Sequence, residues 1–250
     1  MWSLLAAIGV MSAMLEEGEQ IRSEIQNPKV VQIGCHEFVC GEFCGQEVVF
    51  ALSGVGKVSA ATTASLMISV FNVDEIVFTG VAGGGKNTKV GDVVIGNVFV
   101  QHDMDARPIF PQFFLFSLNE QKLRAPSDRV AKMEAAATRF IEADKNVKTQ
   151  PRVHVGPIIS GDRFVNSRAD SHALHKTIKE VLDLEWKAIE MEGAAVAQVC
   201  SELNIPFVVI RAISDQADDD ASVDFLSFVD QTAKRYSYGI LKEYVRSFEK

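Results

Sequence analysis

Basic charge is in short supply in this 250-residue chain, where 25 Lys and Arg face 33 Asp and Glu for a formal net charge of -8. A surface of that sign does not suit a nucleic-acid backbone, so nucleic acid is not an expected partner. A small nucleoside held in a pocket is untouched by that argument. Long hydrophobic runs are lacking too. Leu4–Met14 is apolar but too short to span a bilayer as a helix, and no Lys or Arg precedes it. It is expected to be a buried strand running into a helix, neither a membrane anchor nor a signal peptide. Cysteine is sparse: Cys35, Cys40, Cys44 and Cys200. Three of these lie close together beside His36, but the second close pair of a zinc site is missing. No metal is expected, and the thiols are expected to be reduced in a cytoplasmic protein.

What is present is apolar material for one sizeable core, with 47% hydrophobic and 23% charged residues. Strand and helix patterns alternate from end to end. They predict a single-domain three-layer α/β/α sandwich around a mixed, largely parallel sheet, with residues 1–250 as one domain. Ser3–Val10 reads as a strand and Met14–Ile25 as an amphipathic helix. Val30–Gly34, Glu37–Glu42 and Glu47–Leu52 read as a meander punctuated by Gly41 and Gly45. Helices are predicted over Lys57–Phe71, Asp128–Glu142, Arg168–Val181 and Glu192–Leu203. Buried strands are predicted over Glu75–Phe78, Val90–Val100, Arg152–Ile159 and Pro206–Ile213, and one long amphipathic helix over Ser222–Phe248. His102–Pro126 breaks the pattern with three prolines and with Phe110, Phe113, Phe114 and Phe116. A loop of that length is expected to be functional, its Phe side chains packing on another subunit or covering a ligand.

In open α/β sheets, ligands bind beyond the carboxyl ends of the strands. Those ends offer Glu16 and Glu17 after the first strand, the glycine-rich run Thr79–Gly85, Ser160-Gly161-Asp162, Glu190-Met191-Glu192, and Ser214-Asp215. The glycine run is read as a turn, since it matches neither a phosphate loop nor a dinucleotide fingerprint. It serves either as a tight strand exit or as a place where backbone approaches a ligand closely. A helix cap or a solvated helix position explains each acid taken singly. It does not explain Glu190, Met191 and Glu192 together at one strand end.

Taken together, these segments resemble the 5′-methylthioadenosine/S-adenosylhomocysteine nucleosidases of the nucleoside phosphorylase superfamily. The matching stretches are Ala13-Met14 with Glu16-Glu17, Ser53-Gly54-Val55-Gly56-Lys57, Thr79 through Gly84, and Lys89-Val90-Gly91-Asp92. They continue with His102-Asp103 and Asp105, Ser160-Gly161-Asp162 with Phe164, Glu190-Met191-Glu192, and Pro206 through Asp215. They occur in family order and cover nearly the whole chain.

The resemblance implies roles by position. Glu17 activates water. Asp215, positioned by Ser214, protonates adenine at nitrogen 7. Glu192 holds the ribose hydroxyls and Met191 packs on the sugar. Phe164 stacks on adenine, and the backbone of Val165 reads its Watson–Crick edge. Ala82 and Gly83 approach base and ribose through backbone, and Met14 and Val55 complete the substrate-binding set. No cofactor is implied. The partners implied are an adenine nucleoside and a second copy of the chain, in a cytoplasmic homodimer of methionine salvage, with His102–Phe114 near the partner's site.

The chemistry agrees with these roles. Loss of a purine builds positive charge on the sugar and negative charge on the base, which carboxylates and an acid on the respective sides stabilise. Asp215 must then hold its proton near neutral pH while Glu17 stays ionised, which requires unlike surroundings. Three departures from the family pattern stand out: Leu15 and Val81 occupy positions where Glu and Ser are common, and Ala106–Phe114 does not align cleanly. A purine nucleoside phosphorylase of the same fold would need cationic groups around phosphate, whereas the chain has Phe78-Thr79-Gly80 and Glu17 there. A nucleosidase acting on aminofutalosine or 5′-deoxyadenosine shares the same catalytic residues. A non-catalytic binding protein on this fold has no reason to keep Glu17, Glu192 and Asp215.

Overall fold

The computed structural model describes residues 7–144, 151–228 and 232–248. The chain runs β1 (Ile8–Ser12), α1 (Leu15–Ser23), β2 (Gln26–Ile33), β3 (His36–Phe43), β4 (Gln46–Leu52), α2 (Lys57–Phe71), β5 (Glu75–Gly84) and β6 (Val93–Gln101). It continues with β7 (Leu123–Arg124), α3 (Ser127–Ala143), β8 (Val153–Ser160), α4 (Arg168–Leu182), β9 (Ala188–Glu190), α5 (Gly193–Leu203), β10 (Phe207–Asp215), α6 (Ala221–Phe228) and α7 (Lys234–Arg246).

Alternation along the central strands divides the molecule into layers, because successive side chains of a strand point to opposite faces. Val10, Val77, Val208 and Ile210 face one apolar cluster that includes Ile21 of α1, Met133 of α3 and Tyr244 of α7. Met11, Ile76, Phe78 and Val209 face a second cluster with Ala60, Ala64 and Met67 of α2 and Val196 and Cys200 of α5. The helices follow from local pattern. α2 buries Ala60, Thr63, Ala64, Met67 and Phe71 on one stripe and ends at Asn72 in the left-handed conformation, φ 52°. In α4, Ser167 caps the N-terminus by accepting the Asp170 N–H at 3.1 Å.

The sheet is mixed. β1 pairs in parallel with β4 and β5, as do β5 with β10, β6 with β8 and β8 with β9. The hairpins β2–β3–β4 and the pairs β6–β10 and β5–β9 are antiparallel. Because β5, β10, β6, β8 and β9 each pair with the next and β9 returns to β5, this part of the sheet closes into a ring. The three-residue β9 lies opposite the last residues of β5: Gly83 is paired with both Ile189 and Asp215, and Ser160 with Glu190, so the ends of β5, β8, β9 and β10 meet.

Two sequence expectations need correction, and two others extend beyond the described residues. The glycine-rich segment is not a turn: β5 continues through Gly84, flanked by β10 on one side and by Ile189 and Ala188 of β9 on the other. Glycine is required there by crowding. A Cβ on Gly80 would sit 2.7 Å from Glu17 Oε1, and one on Gly85 would sit 2.5 Å from the Trp186 carbonyl oxygen. The C-terminal helix is described as α6 and α7, and the predicted continuity through 229–231 lies outside the described residues. The predicted first strand is β1, starting at Ile8; its Ser3–Ala6 portion also lies outside them. Finally, Phe113 is buried within its own chain beside Val100 and Trp186, so it is not free to cover a partner. Phe116 is 72% exposed and its ring lies 5.2 Å from that of Phe110. No described helix is long and apolar enough to cross a membrane.

Candidate active site

Glu17 sits in the first turn of α1 and reaches backwards. Its Oε2 accepts the N–H of Ala13 and of Met14, both at 2.9 Å, and its Oε1 accepts the N–H of Val81 at 3.0 Å. An acid three residues into a helix satisfies the free amides at the turn's start, which is why the sequence folds this way locally. The third bond is not local, since it draws the carboxylate onto β5. Burial pushes the Glu17 pKa up, while the Arg211 guanidinium and the three amides pull against that rise. Leu15 is half exposed, and Val81 contributes its backbone where a side-chain hydroxyl was absent.

Arg211 is the residue that sequence reasoning passed over. It is 1% exposed in the middle of β10, lies 4.2 Å over the Phe78 ring, and gives Nη2 at 2.6 Å and Nε at 3.2 Å to Glu190 Oε2. An arginine inside the apolar run Phe207–Ile213 was itself a signal, because a buried cation demands an acidic partner. Glu190 is that partner. It also accepts the N–H of Glu192 at 3.1 Å and of Gly193 at 2.8 Å, together with the hydroxyl of Ser160.

This arrangement changes the reading of Glu192. Glu190 caps the N-terminus of α5, so Glu192 is released from capping. Its Oε1 instead accepts the Gly56 N–H at 2.8 Å, and its Oε2 lies 3.9 Å from Arg211 Nη2. Burial, with the Glu190 carboxylate next, pushes the Glu192 pKa up to about 8. The folded protein thus binds this proton more tightly than the unfolded chain does. The group's stabilising contribution is complete below the ordinary value of 4.5 and is lost as pH rises towards about 8. Glu192→Gln is therefore expected to gain in melting temperature relative to the unsubstituted chain across that window. A difference that stays constant with pH would refute the shift.

Asp215 ends β10 and is 1% exposed. Its Oδ1 accepts the Ala217 N–H at 2.8 Å and its Oδ2 accepts the Ser214 hydroxyl at 2.8 Å. Burial raises its pKa, opposed by those two donors and assisted by the Asp224 and Asp218 carboxylates. Gly83 lies against it, with room for a Cβ only 3.0 Å from Oδ1. Gly83, Phe164, Val165, Met191 and Asp215 line one small cavity together with Arg163, Ile189 and Glu190. Phe164 is half exposed at its edge, its ring 5.7 Å from Phe225 of α6 in an edge-on contact. Ala82 and Ser214 stand behind this wall, the Ser214 hydroxyl 3.3 Å from the Ala82 carbonyl.

The predicted residues fall mainly into two adjoining groups. Gly83, Phe164, Val165, Met191 and Asp215 surround the cavity. Glu17 and Glu192 lie near Arg211 and Met14 joins them through its N–H to Glu17, whereas Val55 is 53% exposed and only its neighbour Gly56 bonds to Glu192. Chemically, the site sets two buried carboxyls, both with pKa raised by burial, at separate strand ends, and only Glu17 has a guanidinium and three amides opposing that rise.

Comparison with known proteins places this geometry. The sequence profile of the phosphorylase superfamily matches residues 7–246. A 5′-methylthioadenosine/S-adenosylhomocysteine nucleosidase of Geobacillus sp. is 35% identical over 246 residues, which cover 97% of this chain and 99% of that one. Among solved structures, the 5′-methylthioadenosine/S-adenosylhomocysteine nucleosidase of Neisseria meningitidis in complex with methylthio-immucillin-A is 36% identical. Its TM-score is 0.86, and the match covers 98% of this chain and 100% of that one. The futalosine hydrolase of Helicobacter pylori is 29% identical with a TM-score of 0.82, covering 98% and 100%.

Proposed function

Because the chain belongs to the phosphorylase superfamily, and within it to the 5′-methylthioadenosine/S-adenosylhomocysteine nucleosidases, we infer that its converging strand ends hydrolyse an N-glycosidic bond. The substrates are 5′-methylthioadenosine and S-adenosylhomocysteine, and the products are adenine and the 5-thioribose. The observation that carries the mechanism is the pair of buried carboxyl groups in unlike surroundings. Burial raises the pKa of both; against it, Asp215 has a hydroxyl and one amide with two carboxylates adding to the rise, whereas Glu17 has three amides and a guanidinium that favour its ionised form.

In this reading Asp215 gives its proton to nitrogen 7 of adenine as the bond between C1′ and nitrogen 9 breaks, its electron pair leaving with the base. Positive charge grows on the ribose and is stabilised by the carboxylates on that side. Water adds to C1′ and its proton passes to Glu17. Glu192 holds the ribose hydroxyls with Met191 against the sugar. Phe164 covers adenine, and the backbones of Val165, Ala82 and Gly83 meet the base and ribose. Met14 and Val55 complete the substrate-binding set, and Ser214 orients Asp215.

The test is release of adenine by the purified chain. Comparable kcat/KM for 5′-methylthioadenosine and S-adenosylhomocysteine supports the reading, and no release from either overturns it. Turnover confined to futalosine or aminofutalosine would favour the futalosine hydrolase of Helicobacter pylori as the functional relative. A homodimer in the cytoplasm, with His102–Phe114 of one copy near the other's site, is the companion proposal. Exposed Ile109 and Phe116 support it. A dimeric mass at micromolar concentration is expected, and a monomeric mass would sink that proposal.

A further inference from the structure

Three segments of the site are tied together by a closed ring of hydrogen bonds that the catalytic reading leaves unused. Lys57 opens α2, and its Nζ donates to Asp103 Oδ1 at 2.6 Å and to Gln101 Oε1 at 3.2 Å. Asp103 Oδ2 accepts the Asp162 N–H at 2.9 Å, and Asp162 Oδ1 accepts the Lys57 N–H at 2.7 Å. Asp162 thereby caps α2 from another strand end, since Gly56 at the capping position has no side chain to do so. Gly56 is held at φ 99°, a conformation that favours glycine, and a Cβ there would lie 3.1 Å from Asp162 Oδ1.

The ring fixes the peptide that matters to the ribose side. Its member Lys57 follows Gly56, whose N–H donates to Glu192 Oε1 at 2.8 Å. Another member, Asp162, precedes Phe164 and Val165 on the adenine side. Asp103 begins the segment carrying Phe110 and Phe116, and Gln101 passes the chain of bonds on to Gln198 of α5 at 2.6 Å.

We propose that Lys57, Asp103 and Asp162 are positioning residues for the nucleosidase reaction, a clamp that holds the Gly56 N–H against Glu192 and so sets the carboxyl that receives the ribose hydroxyls. The inference rests on the nucleosidase reading. The Lys57 and Asp103 side chains are 17% and 32% exposed, so solvent screens the ion pair only in part, and the role assigned to it is geometric. Burial alone would raise the Asp103 pKa. The Lys57 ammonium and the Asp162 amide outweigh it and hold that group below its ordinary value, as an engaged carboxylate requires.

The test compares Asp103→Asn and Lys57→Met with the unsubstituted chain on 5′-methylthioadenosine and on its 2′,3′-dideoxy analogue, which offers Glu192 nothing to hold. In Asp103→Asn an amide NH2 must face one of the two donors, so the ring opens at one point. We expect kcat/KM to fall about fivefold or more with 5′-methylthioadenosine, the scale of one misplaced charge-assisted hydrogen bond. The loss should stay below about twofold with the dideoxy analogue, and both variants should melt within about 2 °C of the unsubstituted chain. Equal losses on the two substrates would mean a general structural role, and undiminished turnover of 5′-methylthioadenosine would mean no role; either overturns the clamp alone. An unsubstituted chain inactive on 5′-methylthioadenosine would instead overturn the functional reading on which the clamp rests.

Discussion

Asp215→Asn is expected to lower kcat with 5′-methylthioadenosine by about 10³-fold, the scale of a lost general acid, with KM changed only severalfold. The substitution is nearly silent in structure. Asn can keep an oxygen towards the Ala217 N–H and turn its NH2 towards the Ser214 hydroxyl, which accepts it while donating to the Ala82 carbonyl. It also removes a buried carboxyl. The folded-state pKa of Asp215 is raised, so whatever that group contributes to stability is present at low pH and is lost as pH rises through the folded value. The Asn variant should therefore melt at or above the unsubstituted chain in neutral and alkaline buffer while being nearly inactive. Steady-state kinetics beside a thermal melt checks both halves. Near-normal turnover, or loss of activity through unfolding, would remove Asp215 from the role of acid.

Glu17→Gln is expected to cost on the order of 10²- to 10⁴-fold in kcat, with a different structural signature. All three of the carboxylate's acceptor bonds come from backbone N–H groups, so one of them must face the new NH2. A buried donor left without an acceptor costs about 1–3 kcal/mol, and this variant should melt several degrees lower. The pH profiles separate the two residues. Activity requires Glu17 without its proton and Asp215 with one, so kcat/KM should fall below the raised Glu17 pKa and above the raised Asp215 pKa. Whatever activity remains in Glu17→Gln should lack the acid limb, and that of Asp215→Asn the alkaline limb. A profile that keeps both limbs in both variants would assign the titrations elsewhere.

The sequence marked these residues as candidates because each stands just past a strand pattern, and their roles came from the family resemblance. Strand and helix periods are local properties, so α2 and α4 were readable nearly to the residue: Lys57–Phe71 as predicted, and Arg168–Leu182 against a predicted end at Val181. Pairing is not local. Nothing in the run Glu75–Gly84 says that β9 and β10 flank its glycines, so a strand pressed between carboxylates read as a turn. The same limit hid Glu190 as the residue that caps α5. From sequence alone, the residue at the helix start was the natural cap. In the fold Glu190, held by Arg211 and Ser160, takes the free amides of α5. Phe113 was misread for a related reason, since an aromatic in an irregular loop gives no sign of which core it will join. Composition was informative only about classes, and it correctly left room for a small nucleoside in an acidic protein.

The most direct test of the central claim is the fate of solvent oxygen. The purified chain would be given 5′-methylthioadenosine in phosphate buffer made with ¹⁸O-labelled water, and the sugar product examined by mass spectrometry. Water activated by Glu17 predicts 5-methylthioribose carrying one ¹⁸O at C1, formed at the same rate when phosphate is left out. A sugar 1-phosphate that forms only in phosphate and carries no label at C1 would contradict the account.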